Sequence, residues 1–182
     1  MSVLIREERP EDVAGVRRVN EQAFGQPQEA ALVDALRAHD AVLLSLVALD
    51  GDRVVGHVLY SAVRLESGGD ALEGAGLAPM AVLPELQRTG IGSELVARGA
   101  LELRERGCPF IVVLGHPEYY PRFGFVPASR HGVRCPWEVP DEVFLLLPLD
   151  AARLPRTAST ARYRDEFSSV TEGEGTSSRS GT

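Results

Sequence analysis

The sequence predicts one α/β domain, built on a mixed, mostly antiparallel sheet with helices on both faces. Three observations carry this. Val42 to Leu49 and Arg53 to Leu65 are strand-length apolar runs joined by Asp50-Gly51-Asp52, and Asp-Gly between such runs signals an antiparallel hairpin. A third run, Ala71 to Leu83, is followed by an amphipathic stretch after Gly92 and then by the continuously apolar Phe110 to Leu114. Strand, helix and strand in that order make the two strands parallel, through a right-handed crossover. Two further helical stretches precede the hairpin.

In chain order, Ser2 to Arg6 alternates and starts the sheet. Arg9-Pro10-Glu11-Asp12 is a helix entry, with proline tolerated in the first turn and acids at the positive end of the helix. Val13, Val16, Val19 and Ala23 carry an apolar stripe as far as Phe24, where Gly25-Gln26-Pro27 breaks it. Gln28 to Ala38 repeats the period with Ala31, Leu32, Ala35 and Leu36. The run Val54 to Tyr60 is apolar on both faces apart from His57, which marks a central strand. Ser67-Gly68-Gly69-Asp70 is a loop, and Pro79, which removes a ladder donor from the next strand, predicts a bulge or splayed edge there.

The helix after Gly92 has Leu95, Val96, Gly99, Ala100 and Leu103 on one face, Glu94 early, Arg104 and Arg106 late, and Gly107 as its stop. Beyond Leu114, a short helix is expected over Pro117 to Pro121 and short strands over Phe123 to Pro127 and Glu142 to Leu149. Ala128 to Pro140 is irregular and holds His131, Cys135 and Trp137. From Arg156 the last 27 residues contain eleven Ser or Thr and three Gly. The expectation is a domain over 1–155 and a disordered Ser/Thr/Gly-rich tail over 156–182.

At 182 residues and 44% hydrophobic, the chain is long enough to bury its own core. A net charge of -7 argues against nucleic acid as the main partner and weakly favours a cationic acceptor. No apolar run approaches eighteen residues and no export leader is visible, so neither a membrane nor export is expected, and a reducing cytoplasm is the default. Cys108 and Cys135 form no disulfide framework, and four His without paired spacing predict no metal.

Met80 to Leu95 is the stretch around which the chain is organised: a strand end, a short polar loop, then Gly90 and Gly92 opening a helix. Leading N–H groups of a helix lack intrahelical partners and sit at the positive end of its dipole, so this is an anion cradle, to which Arg88 adds a charge-assisted bond. A P-loop would need Lys-Ser or Lys-Thr after its second glycine, and a dinucleotide turn would need glycine where Leu95 stands.

Gln87-Arg88-Thr89-Gly90-Ile91-Gly92 resembles the coenzyme A pyrophosphate loop of the GCN5-related N-acetyltransferases (GNAT). A second match strengthens it: this family carries a Tyr four residues before Gly-Phe, as in Tyr120 with Gly124-Phe125. Gly115 to Phe125, Pro136-Trp137 and Glu29 to Val33 are similar to the YhbS-type subgroup over about Ser2 to Asp150, with His116 standing where that subgroup usually has an acid.

The resemblance implies a GNAT-type sheet with parallel, splayed fourth and fifth strands, and acetyl transfer from acetyl-CoA to a primary amine by direct attack. It also implies that Gln87, Arg88, Thr89, Gly90, Ile91, Gly92 and Ser93 hold the pyrophosphate. Met80, Ala81 and Val82 then pair with the pantetheine and the carbonyl, and Tyr120 is the acid for the departing thiolate. Tyr119 is expected to point elsewhere.

The base is open among Glu29, His57, Glu73 and His116, with His116 favoured for standing beside Tyr120. The acceptor is a small-molecule or protein amine, and the assembly a monomer or homodimer. A non-enzymatic acyl-CoA binding or sensing domain is the alternative, and it would tolerate loss of Tyr120.

Overall fold

The computed structural model describes residues 3–168. Its elements are β1 (Leu4–Glu7), α1 (Val13–Phe24), α2 (Gln28–Ala38), β2 (Val42–Asp50), β3 (Arg53–Ser67), β4 (Asp70–Val82), α3 (Ile91–Glu105), β5 (Phe110–Leu114), β6 (Val126–Pro127), β7 (Val133–Arg134), β8 (Phe144–Pro148) and β9 (Ser159–Arg162). One sheet runs β1-β2-β3-β4-β5-β8-β6, with β9 pairing β3 and β7. All neighbours are antiparallel except β4–β5 and β7–β9.

A 3-10 turn at Pro10–Asp12 leads into α1. Asp12 accepts the Arg9 N–H at 2.7 Å and a forked pair of bonds from Arg6. The Arg6 hydrogen bond holds the Asp12 carboxyl below the usual carboxylate range. Helices cover both faces of β3. Asn20 of α1 reaches His57 on one face, and on the other Gly99 of α3 lies against Tyr60, where a Cβ would fall 2.3 Å from the phenol oxygen.

β4 decides where the site lies. At Ala75 and Gly76 it pairs in parallel with Ile111 and Val112 of β5, and nowhere beyond. Between Val58/Met80 and Tyr60/Leu77 the β3–β4 register slips, placing Ala78 and Pro79 opposite Leu59. That is the bulge predicted from Pro79, and past it β4 keeps only its β3 partner while β5 diverges.

The C-terminal expectation is corrected. Ser159–Arg162, assigned from composition to a disordered tail, is strand β9, antiparallel to β3 at Leu65↔Ala161 and parallel to β7 at Val133↔Ser159. The cause is an open edge: β2 leaves β3 at Ser61, and β9 takes up the ladder from Arg64 to Glu66. Ala161 is buried, Tyr163 stacks on Trp137 at 4.8 Å, and Phe167 closes on Tyr163 at 5.2 Å. Ordered structure therefore runs past the boundary at 155, to Ser168, and the rest of the expected tail, 169–182, lies outside the described residues. The late loop also departs from expectation, since it contains a 3-10 turn at Ala128–His131 and the two-residue β7. Tyr120–Phe123 is a 3-10 turn, and the strand after it contracts to Val126–Pro127.

Candidate active site

The glycine loop ends in an uncapped helix. Gly90, at φ 100°, is the N-cap of α3 with no side-chain cap, and Glu94 N–H is the group that bonds Gly90 O at 3.0 Å. The N–H groups of Ile91, Gly92 and Ser93 precede that first bond and are turned outward. Arg88 takes a left-handed φ of 62°, uncommon without a glycine, which bends the loop around this point.

Two side chains hold the loop in shape. Gln87 Nε2 donates to Val82 O at 3.1 Å and Thr89 Oγ1 to Leu86 O at 2.6 Å. The side chain of Ile91 is buried in the core against Gly56, so its backbone is what it offers an anion.

The open end of β4 supplies the opposite wall. Leu83 N–H bonds Val55 O at 3.0 Å on the β3 side. Strand backbone groups alternate sides, so Val82 and Met80 present theirs to the gap left by β5, while the backbone of Ala81 faces β3. Val82 O is taken by Gln87; the N–H groups of Met80 and Val82 and the Met80 carbonyl face the gap.

Tyr120 closes the inner end. Only a glycine at 115 admits its ring, since a Cβ there would stand 2.1 Å from Cε2. Phe125 and Tyr119 meet the ring edge-on at 5.5 and 5.0 Å. Tyr120 is 6% exposed, and burial raises its phenol well above the ordinary value, with nearby Tyr119 adding to the shift. Its hydroxyl has no hydrogen-bond partner among the described residues.

These parts share one pocket of about 820 Å³ between α3, the end of β4 and the loop after β5. Met80, Ala81, Val82, Gln87, Arg88, Gly90, Gly92, Ser93, His116 and Tyr120 all line it. Of the four base candidates, His116 alone does, and its carbonyl accepts the N–H of Tyr119 at 3.0 Å. Glu29 is half-buried, takes a bond from Gln26 and lies outside the pocket, while Glu73 pairs with Arg64 at the far end of the hairpin.

His57 is fully buried between Asn20 and Ser45, each at 3.0 Å, with Glu8 at 3.8 Å from Nε2. Burial, and secondarily Arg37, lowers its pKa to about 3. Among the described residues no group of three His, Cys, Asp or Glu gathers to hold a metal, and no helix is long and apolar enough to cross a membrane.

Tyr119 and Arg122, which the sequence reading did not place here, also line the pocket. Tyr119 does not point away: its hydroxyl lies 3.5 Å from Ser93 Oγ. The signal available was their i, i+3 spacing on one helical turn with Tyr120 between them.

Comparison with known proteins agrees with this architecture. The acetyltransferase (GNAT) domain profile matches residues 4–128. The chain is 34% identical to the uncharacterized N-acetyltransferase YhbS of Escherichia coli K12 over 91% of its own length and 98% of that protein's. It is 39% identical to the uncharacterized N-acetyltransferase YjhQ of the same strain, over 72% of its own length and 74% of YjhQ. Among solved structures, E. coli YhbS in complex with CoA superposes with a TM-score of 0.85 at 34% identity, covering 91% of this chain and 92% of that one. A GNAT-family acetyltransferase from Brucella melitensis in complex with acetyl-CoA gives 0.75 at 35% identity, covering 91% and 98%. With its split sheet, glycine-opened helix and strand-end tyrosine, the chain belongs to the GNAT family of acetyltransferases.

Proposed function

We propose that this protein transfers an acetyl group from acetyl-CoA to a primary amine by direct attack, with Tyr120 as general acid and His116 as general base. One observation carries the reading: the uncapped N-terminus of α3, the unpaired edge of β4 and the Tyr120 hydroxyl open into a single pocket. The fit to acetyl-CoA rests on the same place. Gly92 leaves room at the helix end that a Cβ would fill, 3.1 Å from the Tyr119 oxygen and 3.6 Å from Met80 Sδ, and the two known structures above hold CoA and acetyl-CoA.

In this reading the N–H groups of Ile91 to Ser93, with Arg88, hold the pyrophosphate. Those of Met80 and Val82 bind the pantetheine and the thioester carbonyl, stabilising charge as it develops on oxygen. The acceptor is a small-molecule or protein amine. His116 removes its ammonium proton, because only the free amine has a lone pair with which to attack. As the new C–N bond forms and the C–S bond breaks, Tyr120 gives its proton to the departing sulfur. Burial raises the phenol pKa, so Tyr120 still holds its proton at neutral pH when the sulfur leaves. A thiolate is a weaker base than a phenolate, and the transfer is completed as the second N–H proton of the new amide passes to Tyr120.

Thiol release measured with acetyl-CoA and a panel of amines tests the assignment. Tyr120→Phe should lower kcat roughly 100-fold with little change in the KM for acetyl-CoA. Undiminished activity in that variant would remove Tyr120 from the mechanism. His116→Gln should lower kcat with little change in the KM for acetyl-CoA, and undiminished activity would hand the base role to water.

A further inference from the structure

Two side chains of the pocket, Tyr119 and Arg122, are not used in the mechanism above, and their arrangement is specific. The Arg122 guanidinium lies over the Tyr119 ring, 4.5 Å from its centroid. Its Nε donates to the Tyr119 carbonyl at 2.9 Å, so ring and backbone of one residue hold the cation from two directions. Among the described residues its two terminal nitrogens have no hydrogen bond and no ion pair. In a chain of net charge -7, ten of the eighteen described arginines are ion-paired, and Arg122 is one of the eight that are not, as is Arg88 across the same pocket. Meanwhile the Tyr119 hydroxyl reaches over the helix end, to Ser93 and to the space left by Gly92.

We propose that Tyr119 and Arg122 form one phosphate clamp, which faces the glycine loop across the pocket and recognises the phosphate-bearing half of coenzyme A. This rests on the acetyl-CoA reading above. The chemistry follows from the geometry. A guanidinium stacked on an aromatic ring keeps its planar fork free, and that fork matches two oxygens of a phosphate, whereas an amine acceptor gives it nothing to bind. Holding the fork in place beforehand removes the ordering cost that a free surface arginine would bear on binding. Arg122 lines the cavity that also holds Arg88 and Gly90, where the anion cradle lies, as well as a second, smaller one beside Glu118.

Binding of CoA, 3′-dephospho-CoA and phosphate-free pantetheine to the full chain by calorimetry tests this. In Arg122→Gln the preference for CoA over pantetheine should fall about tenfold, and the KM for acetyl-CoA should rise far more than kcat falls. Dephospho-CoA separates the sources: an equal loss with both nucleotides places the fork on the pyrophosphate, and a loss confined to CoA places it on the 3′-phosphate. Tyr119→Ala should weaken CoA binding about as much as Arg122→Gln, and the double variant should be no worse than either alone, because each acts through the other. An unchanged preference in Arg122→Gln, or additive losses in the double variant, would overturn the clamp. Wild-type protein that binds no CoA is a different outcome, and would overturn the acetyl-CoA reading beneath it.

Discussion

The two ends of β4 share a strand and a partner, β3, yet do opposite things. At Gly74 to Gly76 the strand is hemmed in on both sides, and glycines there let Phe110 and Val63 approach: a Cβ on Gly74 would fall 2.4 Å from the Phe110 ring, and one on Gly76 2.7 Å from Val63. At Met80 to Val82, beyond the bulge, the β5 side is empty and backbone donors are left over. Close packing and open backbone are thus separated along thirteen residues. One end exchanges side chains for close packing, and the other gives up ladder hydrogen bonds, which in the proposed mechanism a ligand takes up.

That contrast can be broken from either end. The largest expected effect is at the closed end: Gly74→Ala should destabilise by roughly 2–3 kcal/mol, because the fully buried Phe110 ring cannot retreat from a new methyl group. Urea unfolding reads this, and the activity of the molecules that remain folded should be unchanged.

Next comes His57, the ladder partner of Ala81, which helps fix the open end from behind. Its folded pKa of about 3 lies below the ordinary 6.5. Between those values the unfolded chain binds the extra proton, so stability is full above pH 6.5 and is lost as pH falls. At pH 5 this residue alone should remove about 2 kcal/mol relative to pH 8. The groups around it, Asn20, Ser45, Glu8 and Arg37, stay in place in His57→Gln, whose pH dependence should be flatter by that amount. Equal slopes in the two proteins would mean that His57 does not titrate as described.

The smallest effect is expected at the loop. Arg88→Gln should weaken CoA binding by about 1 kcal/mol and make it less sensitive to salt, as loss of one exposed charge-assisted bond would. Calorimetry at two ionic strengths measures both.

Much of this was legible in the sequence because it is local. The apolar run at Phe110–Leu114, the Asp50-Gly51-Asp52 turn, the stripe of Gln28–Ala38 and the bulge at Pro79 each follow from neighbours a few residues away. The glycine loop was legible for the same reason. What was not legible depends on distant partners. β9 carries Ser, Thr, Ala and Arg, a poor strand composition, and forms because β3 has an unpaired edge nearly a hundred residues earlier in the chain. Tyr119 is adjacent to Tyr120, and only the 3-10 geometry of their turn shows that both rings enter the pocket. Of the base candidates, Glu29 and Glu73 lie outside the pocket, a matter of position that their chemistry could not show.

The most direct test of the account is the thermal stability of wild type and Gly92→Val with and without CoA. At about 100 times its dissociation constant, CoA should stabilise the wild type by roughly 2.7 kcal/mol, a rise of several degrees. Gly92→Val, whose side chain fills the space beside Tyr119 and Met80 at the helix end, should fold and show no such rise. An equal rise in both proteins would place CoA elsewhere and contradict the assignment of this loop.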